Sequence, residues 1–431
     1  MQKSALDPVI RPSAKPLQRI ATARRPATPI DQLALHYDII IAGAGVAGLS
    51  LALHLINSSW SDRSILIVDK DIQDRKNRTL SYWTDRSTVF DGAVYRAWDQ
   101  LHLVDQQFDH VGDLGNYHYE RVRSIDLVEH AWRDLSARPG VTFSQGTVEA
   151  IDDGRDEARV TIDGQTINSL WIFDSILQPG DLKTKSARYH ALKLHFKGWE
   201  IVSAEPVFNP RAVTFLDFRT PQHGSTRFFY VLPFSETRAL VEYTLFSMAT
   251  LPHPAYELAL EEYLQTVLKI EQYQIIGEES GVIPVTDQPT ARRAGRHILT
   301  IGAKGGRIKP TTGFAFTRIE RDSAAIVQSL VQHGHPWDVP DDTWLFRFCD
   351  SLMLEIMERH GDRIQPLFTT LFRRNPLERV LRFLDEVASP REVQQIMASL
   401  PPGIFIQALL GMILRSHSKL HSQPPDQMLY L

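Results

Sequence analysis

The sequence holds a single cysteine, Cys349, in 431 residues. An internal disulfide is therefore excluded. With neither a C-x-x-C pair nor a His/Cys cluster at metal spacing, nothing in the sequence provides for a dithiol redox centre or a zinc or other metal site. Cys349 falls in a helix-like run from Leu345 to Met357 and reads as a small packing residue. An excess of one charge is also missing. Lys and Arg number 47 against 51 Asp and Glu, a formal net charge of -4, so no global field gathers nucleic acid. No apolar run reaches the roughly 20 residues a spanning helix needs; the longest, Gly403 to Leu414, is too short to cross a bilayer. Residues 1–36 carry only Asp7 and Asp31 as acids and have no apolar core segment, which excludes a secretory signal. They read as a disordered basic leader, with an organelle transit peptide as the alternative. A hydrophobic share of 43% and a charged share of 23% are those of a soluble globular protein, and the length predicts two intergrown domains with a helical tail.

The first strong pattern begins at Tyr37. Tyr37-Asp-Ile-Ile-Ile-Ala42 is a short apolar run that predicts a buried parallel strand. It ends in Gly43-Ala44-Gly45-Val46-Ala47-Gly48, a G-x-G-x-x-G loop opening the helical run Leu49 to Asn57. A second buried strand, Ser64 to Asp69, completes a βαβ unit. Gly43 permits the tight turn, Gly45 lets a pyrophosphate reach the backbone, and Gly48 lets helix and strand pack closely. The helix N-terminus turns free N–H groups and the positive end of its dipole toward phosphate. Asp69, 21 residues beyond Gly48, ends the second strand, where an acid takes a ribose hydroxyl pair.

Farther along, Arg123 to Leu135 predicts a helix, and Val141 to Phe173 predicts hairpins turning at Asp153-Gly154 and Asp163-Gly164. Strands are expected at His190 to Phe196, Ala212 to Phe218, Thr226 to Pro233 and Ala239 to Phe246, then a helix from Pro254 to Ile270. The strand His297 to Ile301 leads into a glycine-rich loop, and Phe316 to Gln332 reads as helix. From Trp344 onward the pattern is helical, interrupted by prolines. Thr300 to Gly313 is a strand, a loop and a helix start, with Thr311 and Thr312 as candidate caps. Its glycines Gly302, Gly305, Gly306 and Gly313 suit close approach of backbone to a ligand. In FAD enzymes of the hydroxylase type such a distant segment closes over the flavin. That pattern has Asp after the glycine ending the strand, where this chain has Gly302-Ala303; a second fingerprint for tightly held NAD(P)H is also missing.

These segments together resemble the flavin-dependent lycopene cyclase family, bacterial lycopene β-cyclase type. The resemblance is carried by Asn77-Arg-Thr-Leu-Ser-Tyr-Trp83, Val122-Arg123, Phe196-Lys-Gly-Trp-Glu200, Leu216-Asp-Phe-Arg219, Phe229 to Ser235, Ala239-Leu-Val-Glu-Tyr-Thr244, Lys309-Pro-Thr-Thr-Gly313 and Pro376 to Val380. Leu80 departs from it, since the family favours Trp there. The fold implied is α/β: an FAD-binding Rossmann-type, hydroxylase-like domain over 37–185 and 280–335, an inserted β-rich substrate domain over 186–279, and a helical C-terminal region over 336–431.

The activity implied is redox-neutral cyclisation of a carotenoid ψ-end, as in lycopene, to a β-ionone ring. Reduced FAD would stabilise the cation and NAD(P)H would only reduce the flavin. Alternation in the strand puts Leu240, Glu242 and Thr244 on one face, and either this face or that of Val241, Tyr243 and Leu245 is the inward one. The resemblance makes Glu242 the acid. It also makes Gly43, Gly45, Gly48, Asp69, Arg123, Gly302, Gly305, Gly306, Thr312 and Gly313 cofactor contacts, with Arg123 near the phosphates. Asp217 with Arg219 is a supporting ion pair near the site or a structural pair in a strand. Trp199, Phe229, Tyr230 and Phe246 either line a polyene tunnel or pack a core. Arg373, Arg374, Arg379 and Arg382, beside Leu371, Phe372, Val380, Leu381, Phe383 and Leu384 and followed by Gly403 to Leu414, form either a peripheral membrane contact or a helical cap. The implied location is cytoplasmic at a membrane surface. Competing readings are an FAD-dependent monooxygenase or isoprenoid reductase on a lipophilic substrate, and a flavin- or carotenoid-binding protein without catalysis.

Overall fold

The computed structural model describes residues 27–72, 78–178, 180–181, 186 and 188–417; Asn77 of the first resemblance segment and most of the expected leader lie outside these. The strand expected at Tyr37 runs His36–Ala42 and sits inside a seven-stranded sheet. It is flanked in parallel by Ile65–Asp69 on one side and Gln165–Asp174 on the other. Ile40 lies opposite Leu66 and Ile172, all three fully buried. Helices cover the sheet: α1 (Val46–Ile56) packs against α4 (Phe316–His333), and α2 (Ser124–Ser136) completes the layer. Burial on both faces is why the strand sequences are continuous apolar runs instead of alternating ones. The strand Ile298–Thr300 joins as a further parallel neighbour of Gln165–Asp174, which places the start of the 302–313 loop at the same strand ends as the Gly43 loop.

The second sheet also has seven strands, in the order Tyr273–Val285, Leu192–Ser203, Arg238–Ser247, Thr226–Pro233, Ala212–Asp217, Gln100–Val104 and Asp109–Asp113. Its outer face carries α3 (His253–Glu262), continued by a π-helical turn, Tyr263–Val267. Its inner face looks toward the first domain and the C-terminal helices. A small three-stranded sheet, Thr79–Thr84, His118–Arg123 and Val94–Trp98, bridges the two.

The expected domain limits shift accordingly. Tyr273–Val285 crosses the expected boundary at 279/280, because its whole length pairs with Leu192–Ser203. Gln100–Asp113 belongs to the second sheet although it precedes the expected insertion. The last part of the expected leader is ordered: the Thr28 N–H donates to the Phe143 carbonyl at 2.7 Å, and Leu33 is buried. Thr311 and Thr312 cap no helix. The residue before α4 is Ala315, and the Thr311 hydroxyl donates to Asp350 instead, at 2.8 Å.

The C-terminal region forms α5 (Trp344–Arg359), α6 (Ile364–Arg374), α7 (Leu377–Leu384), α8 (Pro390–Ser399) and α9 (Pro402–His417). Leu354 and Ile356 of α5 and Val380 and Leu381 of α7 are fully buried in one core with Phe215, Leu101 and Trp98 of the second sheet's side. Each such aliphatic side chain contributes about 1.5–3 kcal/mol. This region is therefore packed into the core of the second sheet and is not an appendage. His190 locks it on. The imidazole lies 2.8 Å from both Asp287 and Glu355, and those carboxylates hold it protonated, its pKa up to about 9 against the opposing effect of burial.

Candidate active site

The glycine loop behaves as its spacing requires. Gly43 has φ +101°. A Cβ on Gly48 would lie 2.0 Å from the Gly43 carbonyl oxygen, so only glycine lets α1 start this close to its strand. A Cβ on Gly45 would meet nothing within 4 Å, which leaves open space in front of the helix N-terminus. The Ala44 N–H donates to Asp69 at 2.8 Å, so the acid ending the second strand also holds the loop.

The second loop comes to the same place. Gly302 has φ +62°, and a Cβ there would lie 2.6 Å from the Ala47 side chain. The two glycine loops thus touch at the first turn of α1. Gly305 and Gly306 fold tightly back on Thr300 and Thr290, and a side chain on Gly313 would strike Leu194 of the second sheet. Lys304 reaches Asp174 at 2.5 Å, and the buried Lys309 is held by Asp350 and Glu386, both at 2.9 Å. Ala303, Thr312 and Gly313 face a half-open cleft of about 310 Å³ between the domains. That lies at the lower end of the ~300–1,000 Å³ of a small-ligand site. The open Gly45, the adjoining backbone of Gly302-Ala303 and the acid at Asp69 fit an extended dinucleotide whose far end reaches the cleft. Arg123 is engaged elsewhere: its guanidinium is forked onto Asp126 at 2.5 and 2.7 Å and lies over the Tyr95 ring.

Opposite these loops stands Glu242, on the strand Arg238–Ser247. The cleft receives Leu240, Glu242 and Thr244 from this strand. Val241, Tyr243 and Leu245 point to the other face and pack with Tyr256, Leu260 and Tyr263 of the helical layer. Both faces are covered, which is why alternation alone left the choice open. Around the carboxyl are Leu194, Phe196, Leu232, Phe314 and Tyr230, the last directly opposite Glu242 in the neighbouring strand. Leu80, where the family favours Trp, also lines the cleft. Burial pushes the Glu242 carboxyl up to about 8, with help from the charge of Glu279 and against the hydrogen bond that Thr244 donates at 2.8 Å. At neutral pH Glu242 is therefore a protonated acid in an apolar wall.

Several expected neighbours are elsewhere. The Asp217–Arg219 pair forms, at 2.6 Å, but Asp217 also accepts from Tyr263 at 2.6 Å, and Tyr263 stacks on Phe229. The pair thus belongs to the outer face of the sheet, as does Trp199, opposite Val241. These residues, with Phe229, pack a core and do not line the cleft. The cause is strand parity: they stand out of phase with Glu242.

Glu279, missed in the sequence, belongs to the site. It lies across Gly198 from Glu242: Gly198 pairs with Glu242 on one side and Glu279 on the other. A Cβ on Gly198 would be 3.3 Å from that of Glu242, so the glycine leaves the gap through which the two carboxyls influence each other. Glu279 accepts from the Thr79 N–H at 3.0 Å, while its other oxygen is buried without a partner. Around the pair, Arg121 is buried near Glu200 and Glu279, and Arg238 donates to Glu200 at 2.8 Å. Two guanidiniums thus face three carboxyls, and one proton on Glu242 balances the cluster. Replacing Glu279 with Gln removes a contribution that raises the Glu242 pKa. The Glu242 titration, read as its carboxyl infrared band, is expected to fall below about 8; an unmoved midpoint would remove Glu279 from the site.

Comparisons with known proteins agree with this geometry. The family model described as "Lycopene cyclase protein" matches residues 38–410. A lycopene beta-cyclase of Pantoea ananas is 25% identical over 309 residues, covering 65% of this chain and 71% of that one. Among solved structures, a flavoprotein/dehydrogenase from Cytophaga hutchinsonii superposes with a TM-score of 0.56 at 12% identity, over 89% of this chain and 100% of that one. A geranylgeranyl bacteriochlorophyll reductase-like protein from Thermoplasma acidophilum gives 0.54 at 12% identity, over 88% and 99%. A flavin-dependent brominase gives 0.55 at 14%, over 88% and 100%. At these identities the structures establish the fold, that of the hydroxylase- and halogenase-like flavoproteins.

Proposed function

We propose, from the premise that this chain belongs to the lycopene cyclase family, that it closes ψ-ends of a carotenoid such as lycopene into β-ionone rings, with Glu242 as the proton donor. The observation that carries this reading is a carboxylic acid kept neutral near pH 7 in an apolar cleft, facing two joined glycine loops. An isolated alkene is a weak base, so its acid must be positioned and dry. Glu242 meets both conditions: Thr244 fixes the carboxyl, and Leu240, Phe196 and Tyr230 exclude water around it. Glu242 adds its proton to the terminal C=C of the bound end. The C5=C6 bond attacks the resulting tertiary cation, and loss of a proton from the ring restores the alkene. Atoms and electrons balance without oxidant. FAD would lie along Gly43, Gly45, Gly48, Asp69 and the 302–313 loop, and in its reduced form, renewed by NAD(P)H, would supply a negative charge beside the developing cation.

The expected result in lycopene-producing bacterial cells expressing this chain is γ- or β-carotene. Unchanged lycopene with folded, flavin-loaded protein would overturn the assignment. Stoichiometric consumption of NADPH and oxygen would point to a monooxygenase, and saturated products to an isoprenoid reductase.

The same reading places the protein on the cytoplasmic surface of a membrane, where such a substrate resides. Leu371, Phe372, Val380, Leu381 and Leu384 turn inward, so α6 and α7 serve as the cap. Arg382 is held by Glu392 at 2.9 Å and Arg374 by the Ser399 carbonyl at 2.8 Å. The outward apolar surface is that of α9, with Ile406, Leu409, Leu410, Ile413 and Leu414 exposed, beside Trp344 at 75% exposure. No single described helix is long and apolar enough to span a bilayer, but this face suits the interface. Wild-type protein is expected to sediment with lipid vesicles, and a Leu410→Asp/Leu414→Asp variant to bind about tenfold or more weakly; equal binding would remove α9 from the contact.

A further inference from the structure

Three cavities adjoin one another between Glu242 and the C-terminal helices. The inner end of the cleft is bounded by Tyr230, Thr312 and Phe314. These same residues bound a second, narrow cavity walled by Phe215, Phe218, Phe228, Phe246 and Met357. That cavity shares Thr311, Thr312, Phe368 and Leu384 with a third, also narrow, lined by Phe346, Met353, Leu371, Met397, Leu400 and Phe405. The third ends beneath the elbow between α8 and α9, where the two helices bend by 104° and Leu400 and Phe405 flank the break. Three of the polar groups met on the way satisfy one another: Thr311 and Lys309 both donate to Asp350.

Resting on the reading that the substrate is a carotenoid, we propose that this series is one continuous tunnel for a linear conjugated hydrocarbon, entered at the α8–α9 elbow and ending at Glu242. Its shape selects the occupant. A stiff rod can run through a waist at Phe368 and Leu384 that no rounded ligand would fill. The edge-on aromatic pairs Phe218–Phe228 and Phe228–Tyr230, with ring centroids 5.8 and 5.0 Å apart, present apolar ring surface along the path. The mouth lies at the foot of α9, whose exposed apolar face is described above, so a hydrocarbon passes from the bilayer to the acid without crossing water. One end of the molecule reaches Glu242 while the other remains near the elbow. Each ring is consequently made in a separate visit.

Cys349, the sole cysteine, lines the third cavity and reports on it directly. In the full-length, flavin-loaded protein in detergent, saturating lycopene is expected to slow alkylation of Cys349 by N-ethylmaleimide about tenfold or more. An unchanged rate would overturn the tunnel, whether or not rings are formed. Protection without ring formation would uphold the tunnel and count against the cyclase reading. Leu384→Trp, which fills the waist, is expected to abolish ring formation while leaving Cys349 protected, because the hydrocarbon still enters as far as the third cavity. Ring formation at the wild-type rate in that variant would also overturn the proposal. Should the variant not fold, the wild-type protection measurement decides alone.

Discussion

Glu242→Gln is expected to fold, to bind flavin as the wild type does, and to leave lycopene uncyclised. The substitution is nearly isosteric, and the Thr244 hydroxyl that donates to Glu242 at 2.8 Å can donate equally to an amide oxygen. Only the proton is lost. A positioned general acid is worth about 10²–10⁴ in rate, and no other acidic group lines the cleft among the described residues. The expected loss lies at the upper end of that range, read as carotene formed per flavin in vitro with NAD(P)H present. Glu242→Asp draws the acid back by one methylene and is expected to retain a small part of the activity, since a displacement near 1 Å costs about 10²-fold. The wild-type rate should fall as pH rises through about 8, where the Glu242 proton is lost. Ring products from the Gln variant at a comparable rate would keep the cyclase and remove Glu242 from its centre.

Gly48→Val is expected to eliminate flavin binding and to destabilise the protein as well. A Cβ at this position lies 2.0 Å from the Gly43 carbonyl oxygen and 2.9 Å from Ile41, backbone and core that have nowhere to go. Overpacking of this kind costs roughly 1–3 kcal/mol, and the shift falls on the loop that must approach the phosphates. Gly45→Val separates the two effects. Its added atoms enter open space, so the protein should melt like the wild type while its flavin absorbance on purification drops sharply. Full flavin content in the Gly45 variant would show that the phosphates lie elsewhere.

The βαβ unit was legible in the sequence because its physics is local: a buried strand, three glycines at fixed offsets and an acid closing the next strand all fall within Tyr37 to Asp69. The strand of Glu242 was equally clear, but its inward face was not. Residues of both parities are apolar because the sheet is covered on both sides. Phase also misled at Trp199, Asp217 and Phe229, where membership of a shared motif said nothing about which side of the sheet a residue takes. Glu279 was invisible for another reason. Its strand carries Gly277, Gly281 and Pro284 and is half exposed, and the stretch Gly277 to Gly281 around Glu279 holds no apolar side chain to mark it. Its closeness to Glu242 exists only through the register of two ladders that meet at Gly198. The C-terminal helices were recognised as helices, yet the division between α6 and α7 turned inward and α9 turned outward depends on contacts with strands more than a hundred residues away.

Lys309 sits in the loop behind the cleft, and its ammonium is held by Asp350 of α5 and by Glu386, just beyond α7. Arg318 of α4 shares Glu386 with it at 2.7 Å and also reaches Asp342. A buried ammonium cannot part from both carboxylates without leaving uncompensated charge on each side. The glycine loop, α5 and the end of α7 must therefore open together or not at all. Amide hydrogen exchange should show this as a single slow class: the protected N–H groups of Gly305, Gly313 and α5 released at one common rate, and all of them hastened when Lys309 is replaced by Met.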